Sequence, residues 1–229
     1  ELLSSAISCM ILNIPIGHIH GGELTEAAFD DSIRHSITKM SHLHFVANNI
    51  YKKRVMQLGE NKKNIFNVGG LGLDNLKYIK LLNKNELEKN LGIKFLKKSC
   101  LVTFHPVTRE KKSVNQLTQL LDSMKNFKDI TFIITSPNAD TVGLKMKKVI
   151  LQYVKKTKNF YFYNSLGQLR YLSTIKAVDF VLGNSSSGII EVPELKKITI
   201  NIGDRQKGRL MAKSIIQCKA RKKDITRKI

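Results

Sequence analysis

Histidine and glutamate side chains cluster in residues 17–23, whose sequence is GHIHGGE. Imidazoles and a carboxylate at this spacing suit divalent metal binding or proton transfer. On an extended strand, His18 and His20 share one face and can bind one ion together with Glu23. No cysteine or further acid follows at a spacing typical of a metal site, so we predict no metal. Two interpretations remain: the residues transfer protons, or they form a strand-to-helix turn that happens to carry imidazoles.

A second polar group, GNSSSG at residues 183–188, follows the apolar run VDFVLG and precedes a predicted helix. Small residues let backbone N–H groups approach an anion, the helix N-terminus favours negative charge, and serine hydroxyls donate to phosphate oxygens. Glu191, one turn inside the helix, can accept hydrogen bonds from ribose hydroxyls. The alternative is a Ser/Gly turn that only caps a helix. The predicted ligand contacts are Asn184, Ser185, Ser186, Ser187, Gly188 and Glu191.

Two further polar segments follow predicted strands. His105 ends the strand of TFHP, and Arg205, Lys207 and Arg209 lie in NIGDRQKGR. Loops at the carboxyl ends of strands bind ligands in a doubly wound sheet, so His105 is either catalytic, phosphate-facing or structural. The basic loop is either solvated or bound to an anion. Together with the serine loop, Arg205 and Arg209 predict a diphosphate site.

Apolar runs alternate with segments of helical spacing, which predicts parallel, doubly wound α/β sheets. MILNIPIGHI contains a short predicted strand, and HLHFVAN and NIFNVGG are the next two predicted strands of a first domain, with helices over DDSIRHSITKMSH and NIYKKRVMQLG. We expect an interdomain connection near residues 76–86 and no helix in the basic end, CKARKKDITRKI. The second series has strands SCLVTFHP, DITFIITS, NFYFYNS, AVDFVLGN and ITINIGD and helices at about 113–127, 140–156, 166–175 and 187–196.

The composition limits the class of protein. The net charge of +21 suits a polyanion partner, but no aromatic-rich RNA-binding motif accompanies the scattered lysines. Compositional bias is therefore the favoured explanation, and we expect no nucleic-acid partner. Three cysteines, far apart, predict reduced thiols in a cytoplasmic protein. No apolar run is long enough for a membrane span, and the first residues do not have the pattern of a signal peptide.

Four motifs together closely resemble the hydrolysing UDP-N-acetylglucosamine 2-epimerases of sialic acid synthesis. They are HIHGGELTEAAFDDSIRHSITKMSHLHF, VGGLGLDNL, TFHPVT and GNSSSGIIEVPELKKITINIGDRQKGR. Relatives in legionaminic acid synthesis, which act on a diacetamido sugar nucleotide, share them. The resemblance implies an α/β, glycosyltransferase-B-like fold of two Rossmann-like domains with a cleft between them. It also implies a homo-oligomer that needs no cofactor.

The implied reaction converts UDP-N-acetylglucosamine to N-acetylmannosamine and UDP by elimination to a glycal and then hydration. The resemblance assigns a cleft acid to Asp30, and it assigns Arg34 to the same helix face. It assigns the strand-end histidine to His105 and the nucleotide contacts to Ser186, Ser187 and Glu191. Relatives carry HIEAGE where this chain has HIHGGE, so Glu23 keeps one carboxylate and His20 stands where they have another.

The family's upstream Gly-Asp-Arg segment and its C-terminal helices are expected outside residues 1–229, so the chain resembles a protein truncated at both ends. Residues 1–80 then form the C-terminal part of an incomplete first domain. Residues 81–229 form a nucleotide-binding domain that lacks its closing helices. Three alternatives stay open: a glycosyltransferase of the same fold, a basic nucleic-acid-binding protein, and a folded but inactive fragment.

Overall fold

The computed structural model describes residues 1–26, 30–107, 112–139 and 141–229. The chain divides into two compact units. Glu1–Lys77 and Lys207–Arg209 form the first unit, and Tyr78–Gln206 and Leu210–Ile229 form the second.

The first unit contains a parallel sheet in the order β1-β2-β3. The predicted alternation of strands and helices is confirmed. In chain order the elements are α1 (Leu2–Ile11), β1 (Gly17–Ile19), α2 (Asp30–Met40), β2 (Leu43–Val46), α3 (Asn49–Gln57), a 3₁₀ turn (Lys62–Asn64), β3 (Ile65–Asn67) and α4 (Leu71–Tyr78), whose last residue belongs to the second unit.

Local signals explain how α3 begins and packs in the first unit. The Asn48 side chain accepts a hydrogen bond from the Tyr51 N–H at 2.9 Å, which caps the first turn of α3. Tyr51 and Val55 then lie one turn apart on the buried face of the helix. They pack with Val46 of β2 and Ile65 of β3. This contact fixes α3 against β2 and β3.

The second unit contains a parallel sheet in the order β6-β5-β4-β7-β8-β9. Its predicted strands are confirmed, and so are helices in the four predicted places; residue 140, the predicted start of one helix, lies outside the described residues. The elements are α5 (Lys84–Leu91), β4 (Lys98–Thr103), α6 (Ser113–Met124), β5 (Ile130–Thr135), α7 (Thr141–Lys156), β6 (Phe160–Tyr163), α8 (Gly167–Ala177), β7 (Phe180–Gly183), α9 (Ser187–Glu194), β8 (Ile198–Ile202), β9 (Ile215–Cys218) and α10 (Lys222–Lys228).

The prediction for the end of the chain was wrong. A short helix, α10, forms where no helix was expected, and the strand β9 before it was also missed. The seven residues of α10 offer little periodicity because Ile225 is the buried apolar residue among charged neighbours. Asp224 in the first turn and Arg227 in the last suit the helix dipole. Tertiary packing on α6 therefore stabilises this helix more than its sequence pattern indicates.

The topology of the second sheet marks one place for a ligand. From β4 the chain moves outward to β5 and β6, and then returns to place β7 on the other side of β4. The direction of winding thus reverses between β4 and β7. Ligands of open α/β sheets bind at the carboxyl ends of the strands at such a point.

Two general features complete the fold. Cys9, Cys100 and Cys218 are free thiols. In the part of the chain that the structure describes, no helix has the length and apolar character needed to span a bilayer.

Candidate active site

Asn184 joins the two loops at the switch point of the second sheet. Its Oδ1 accepts from the His105 N–H at 2.7 Å, and its Nδ2 donates to the His105 carbonyl at 2.9 Å. Gly183 precedes it with φ of 145°, and a Cβ there would lie 2.0 Å from the Thr103 carbonyl oxygen. Only glycine therefore allows β7 to approach β4 this closely. Asn184 is 1 % exposed, so its side chain positions His105 rather than offering free donors.

The basic loop after β8 supports the same turn from the other side. Arg205 Nη1 and Gln206 Nε2 both donate to the Asn184 carbonyl, at 3.0 and 2.7 Å. Part of the Arg205 guanidinium, predicted to bind phosphate, thus holds the serine loop in place. Binding of an anion by Arg205 stays a prediction.

A pocket of about 400 Å³ opens at this switch point. Burial raises the pKa of Tyr171, and the hydroxyls of Ser187, Thr103 and Ser185 oppose that rise, so the phenol lies among them. Neutral donors therefore crowd this end of the pocket. Its lining includes Thr103, His105, Thr135, Tyr171, Ser185 and Ser187.

Helix α9 begins at the pocket. Ser186 occupies the N-cap position without a hydrogen bond from its side chain to the first turn, and Ser187 is the first helical residue. Glu191 lies one turn further on, where it raises the pKa of Tyr171 by charge repulsion. Within the described ranges, the buried Glu191 Oε2 has no hydrogen-bond partner. A carboxylate oxygen in that state is suited to accept from a ligand hydroxyl.

A cavity of about 410 Å³ in the first unit gathers the other predicted residues. It is lined by side chains of the loop after β1 and of α2, together with the start of α1. The predicted catalytic residues in its lining are His20, Glu23, Asp30 and Arg34, and His18 and Ile33 line the cavity as well.

Glu23 is held on several sides. Its Oε2 accepts from Arg209 Nη2 at 2.7 Å, with both side chains only about one-eighth exposed, and its Oε1 accepts from the Tyr51 hydroxyl at 3.4 Å. Arg34 Nη1 donates to the Glu23 carbonyl at 3.0 Å. The carboxylate thus keeps one orientation. Arg209, predicted to contact the diphosphate, belongs to the first unit and pairs with Glu23, and its contact with a ligand stays a prediction.

Gly22 shapes the turn that carries Glu23. Its φ is +79°, and a Cβ there would lie 2.5 Å from the Tyr51 carbonyl oxygen. The Arg54 guanidinium donates to the Gly22 carbonyl. Gly22 is therefore required for packing against α3 as well as for the bend.

Asp30 and Arg34 both line the cavity, as expected of one helix face. The ion pair of Arg34, however, is with Asp31 at 3.4 Å. Asp31 also accepts from the Thr25 N–H at 2.8 Å, which ties the loop to α2. Asp30 is exposed, so solvent or a ligand can reach its carboxylate.

His20 does not continue strand β1. The strand ends at Ile19, and His20 has φ of +63°, which is the left-handed region. The expected sharing of one strand face by His18 and His20 is therefore wrong. Within the residues that the structure describes, no three His, Cys, Asp or Glu side chains are grouped to hold a metal ion.

Three residues at these two pockets were not expected from the sequence. Tyr51 contacts Glu23, Thr38 contacts His18, and Tyr171 lies among the serines. Each is a partly apolar residue on a helix, and helical spacing alone assigns such residues to the core.

Comparison with known proteins places the chain in a family. Residues 1–229 match the family described as UDP-N-acetylglucosamine 2-epimerase. A GDP/UDP-N,N'-diacetylbacillosamine 2-epimerase (hydrolyzing) of Campylobacter jejuni is 46% identical over 94% of this chain and 57% of that protein. The polysialic acid biosynthesis protein P7 of Escherichia coli is 46% identical over 100% of this chain and 59% of that protein. The chain thus spans under three-fifths of the length of these relatives.

Solved structures agree on the fold. A UDP-GlcNAc 2-epimerase from Neisseria meningitidis, bound to UDP-GlcNAc, matches with a TM-score of 0.82 at 16% identity, over 99% of this chain and 63% of that chain. S. aureus MnaA with UDP matches with a TM-score of 0.80 at 14% identity, over 99% of this chain and 61% of that chain. The expected glycosyltransferase-B-like α/β fold class is confirmed. With the match over residues 1–229, these findings show that the chain belongs to the UDP-N-acetylglucosamine 2-epimerase family.

Proposed function

We propose that the protein is a hydrolysing 2-epimerase that converts a UDP-linked 2-acetamido sugar to UDP and the free 2-epimer. The observation that carries the proposal is the 400 Å³ pocket at the switch point, where the serine loop and His105 meet. Neutral donors at a helix N-terminus suit a diphosphate. The name of the Campylobacter relative, a hydrolyzing 2-epimerase, supports the same reaction class.

The second unit supplies nucleotide binding in this proposal. The hydroxyls of Ser185, Ser186 and Ser187 bind the diphosphate at the positive end of the α9 dipole. The N–H groups of Ser187, Gly188 and Ile189 donate to Ser185 and Ser186 and hold this turn in place. Glu191 accepts from a ribose hydroxyl through its buried Oε2. His105, whose backbone is held by Asn184, donates to the leaving phosphate through its side chain.

The first unit supplies proton transfer. In the first step a base removes the proton from C2, the C1–O bond breaks, and UDP leaves with the electron pair to give a glycal. In the second step the oxygen of water bonds to C1, water loses a proton to a base, and an acid returns a proton to C2 on the opposite face. We assign the base and the acid to Glu23 and Asp30, with His20 as a further candidate. Positioned carboxylates of this kind contribute roughly 10²–10⁴-fold to such transfers.

The first candidate substrate is UDP-N-acetylglucosamine, with N-acetylmannosamine as the product for a sialic acid type of synthesis. The E. coli relative is named for polysialic acid biosynthesis, which supports this choice. The second candidate is the UDP-diacetamido sugar, which the names of the Campylobacter and Legionella pneumophila relatives support. A homo-oligomer, a cytoplasmic location and the absence of a nucleic-acid partner stay predictions.

The test measures UDP release by the intact gene product from each of the two nucleotide sugars, with no acceptor added. The proposal predicts UDP and a free sugar in equal amounts from one of them. Release of UDP only after an acceptor is added would favour a glycosyltransferase of the same fold and contradict the proposal.

A further inference from the structure

His18 lines the cavity of the first unit, and the proposed function gives it no role. His18 is 6 % exposed and is the middle residue of β1, the strand that precedes the loop of Glu23. The Nδ1 edge of the ring faces Thr38 of α2, and the Nδ1–Oγ1 distance is 3.1 Å. The Nε2 edge is therefore the one available to the cavity that also holds Glu23, Asp30 and Arg34.

Thr38 determines which ring nitrogen carries the proton. Its hydroxyl also lies 3.1 Å from the carbonyl oxygen of Arg34, one helical turn back. Because a carbonyl oxygen only accepts, the Thr38 hydroxyl is the donor in this hydrogen bond. A hydroxyl has a single proton, so Thr38 Oγ1 makes both hydrogen bonds only if His18 Nδ1–H donates to it. The opposite tautomer of His18 loses one of the two bonds in a site where Thr38 is fully buried. The proton therefore resides on Nδ1, and Nε2 carries a lone pair.

The surroundings also keep the ring neutral. Burial lowers the pKa of His18 to about 4, and the positive charges of His44 on β2, Arg34 and His35 on α2, and His20 act in the same direction. The carboxylates that line the cavity are those of Glu1 before α1, Glu23 in the loop after β1 and Asp30 on α2. Glu23 is already paired with Arg209, so it does little to stabilise an imidazolium.

We propose that His18 contacts the substrate as a neutral hydrogen-bond acceptor, with Thr38 as the residue that positions it. Its Nε2 lone pair binds an O–H donor in the cavity, either a hydroxyl of the sugar or the water that hydrolysis consumes. This proposal deepens the proposed function and rests on it for the identity of the ligand. The tautomer itself rests on the fold alone.

The first test is a ¹H–¹⁵N spectrum of the histidine rings near pH 7, which separates a protonated nitrogen from one with a lone pair. His42 is a built-in control, because its Nδ1 accepts from the Ile16 N–H at 3.2 Å and its proton must lie on Nε2. The proposal predicts the opposite pattern for His18, with the proton on Nδ1. A proton on Nε2 of His18 would overturn it, whatever reaction the protein catalyses.

The second test compares two substitutions in the intact gene product. His18→Asn keeps an amide N–H close to the Nδ1 position for Thr38 but places no acceptor at Nε2, whereas His18→Gln reaches that position with a carbonyl oxygen. We expect kcat/KM to fall about tenfold or more in His18→Asn, the equivalent of one hydrogen bond, and to recover at least partly in His18→Gln. Equal activity of wild type and His18→Asn would overturn the proposal.

The kinetic constants distinguish the two donors. If a sugar hydroxyl is bound, His18→Asn raises KM for the nucleotide sugar while the affinity for UDP stays unchanged. If water is bound, KM stays unchanged, kcat falls, and the glycal accumulates. Thr38→Val removes the hydroxyl that selects the tautomer of His18 and should lose activity in the same way as His18→Asn. Thr38→Ser keeps the hydroxyl and should keep the activity.

Discussion

The two pockets of this chain hold their polar groups in different ways. In the second unit, hydroxyls, the N-terminus of α9 and the His105 ring surround the space, and the turn at Asn184 is held by its own side chain and by Arg205. In the first unit, carboxylates, imidazoles and arginines surround the space, and Glu23 is fixed by Arg209 and Tyr51. Fixed dipoles suit a ligand that is charged throughout the reaction, whereas oriented titratable groups suit one that gains and loses protons. Under the proposed function, the second pocket therefore binds the nucleotide and the first carries out the chemistry on the sugar.

The largest expected effect separates the two pockets directly. Asp30→Asn removes the exposed carboxylate of α2 and should lower kcat by roughly 10²–10⁴-fold, because the amide cannot transfer the proton. Affinity for UDP, measured by calorimetry, should not change. Unchanged turnover would remove Asp30 from the catalytic groups. A parallel loss of UDP affinity would contradict the separate roles of the two pockets.

The pH dependence of stability tests how the first pocket is built. His18 has a pKa of about 4 in the folded chain against about 6.5 when unfolded, so the unfolded state binds more protons between these values. Stability from this group is present above pH 6.5 and is lost as the pH falls towards 4, by up to about 3 kcal/mol. Burial lowers the pKa of His44 too, which acts in the same direction.

Urea unfolding of wild type and of His18→Asn at several pH values measures this contribution. The difference between their unfolding free energies should change steadily over the window and level off above it. A difference that does not depend on pH would contradict the buried, neutral state of His18.

Glu191 tests the second pocket. Glu191→Ala should weaken UDP binding by about 1.5–3 kcal/mol, since the buried Oε2 would no longer accept from the ribose. Glu194→Gln, an exposed acid on the same helix, is the matched control and should bind as the wild type does. Calorimetry with UDP measures both. Equal affinities for the two variants would refute the ribose contact.

The smallest effect is expected at Tyr51. Tyr51→Phe removes the 3.4 Å hydrogen bond to Glu23 but leaves Arg209 in place, so kcat should fall by roughly 3–10-fold with UDP affinity unchanged. Tyr78→Phe changes a tyrosine that is 85% exposed and controls for the loss of a phenol. A stronger effect on UDP binding than on kcat would place Tyr51 with the nucleotide instead.

Much of the fold was predictable because long apolar runs have few structural solutions. DITFIITS became the fully buried strand β5, and the serine loop lies at the switch point as a parallel sheet requires. The short elements β9 and α10 were missed, since one buried residue such as Ile225 carries no periodicity.

The candidate sites were predictable in composition more than in contacts. Glu23, Asp30 and Arg34 do line one cavity, but pairing of Arg209 with Glu23 joins residues 186 positions apart, and no local pattern indicates it. The left-handed φ of His20 likewise depends on the turn that packs on α3, so alternation along a strand misplaced its side chain. The tautomer of His18 depends on Thr38, which helical spacing assigns to the core.

The most direct test of the account is product analysis by NMR, with the intact gene product acting in D₂O on UDP-N-acetylglucosamine and on its diacetamido analogue. Proton transfer by the first unit and release of the nucleotide held by the second predict free UDP and a 2-epimerised sugar with deuterium at C2. A sugar that keeps its original hydrogen at C2, or its original configuration there, would contradict the account.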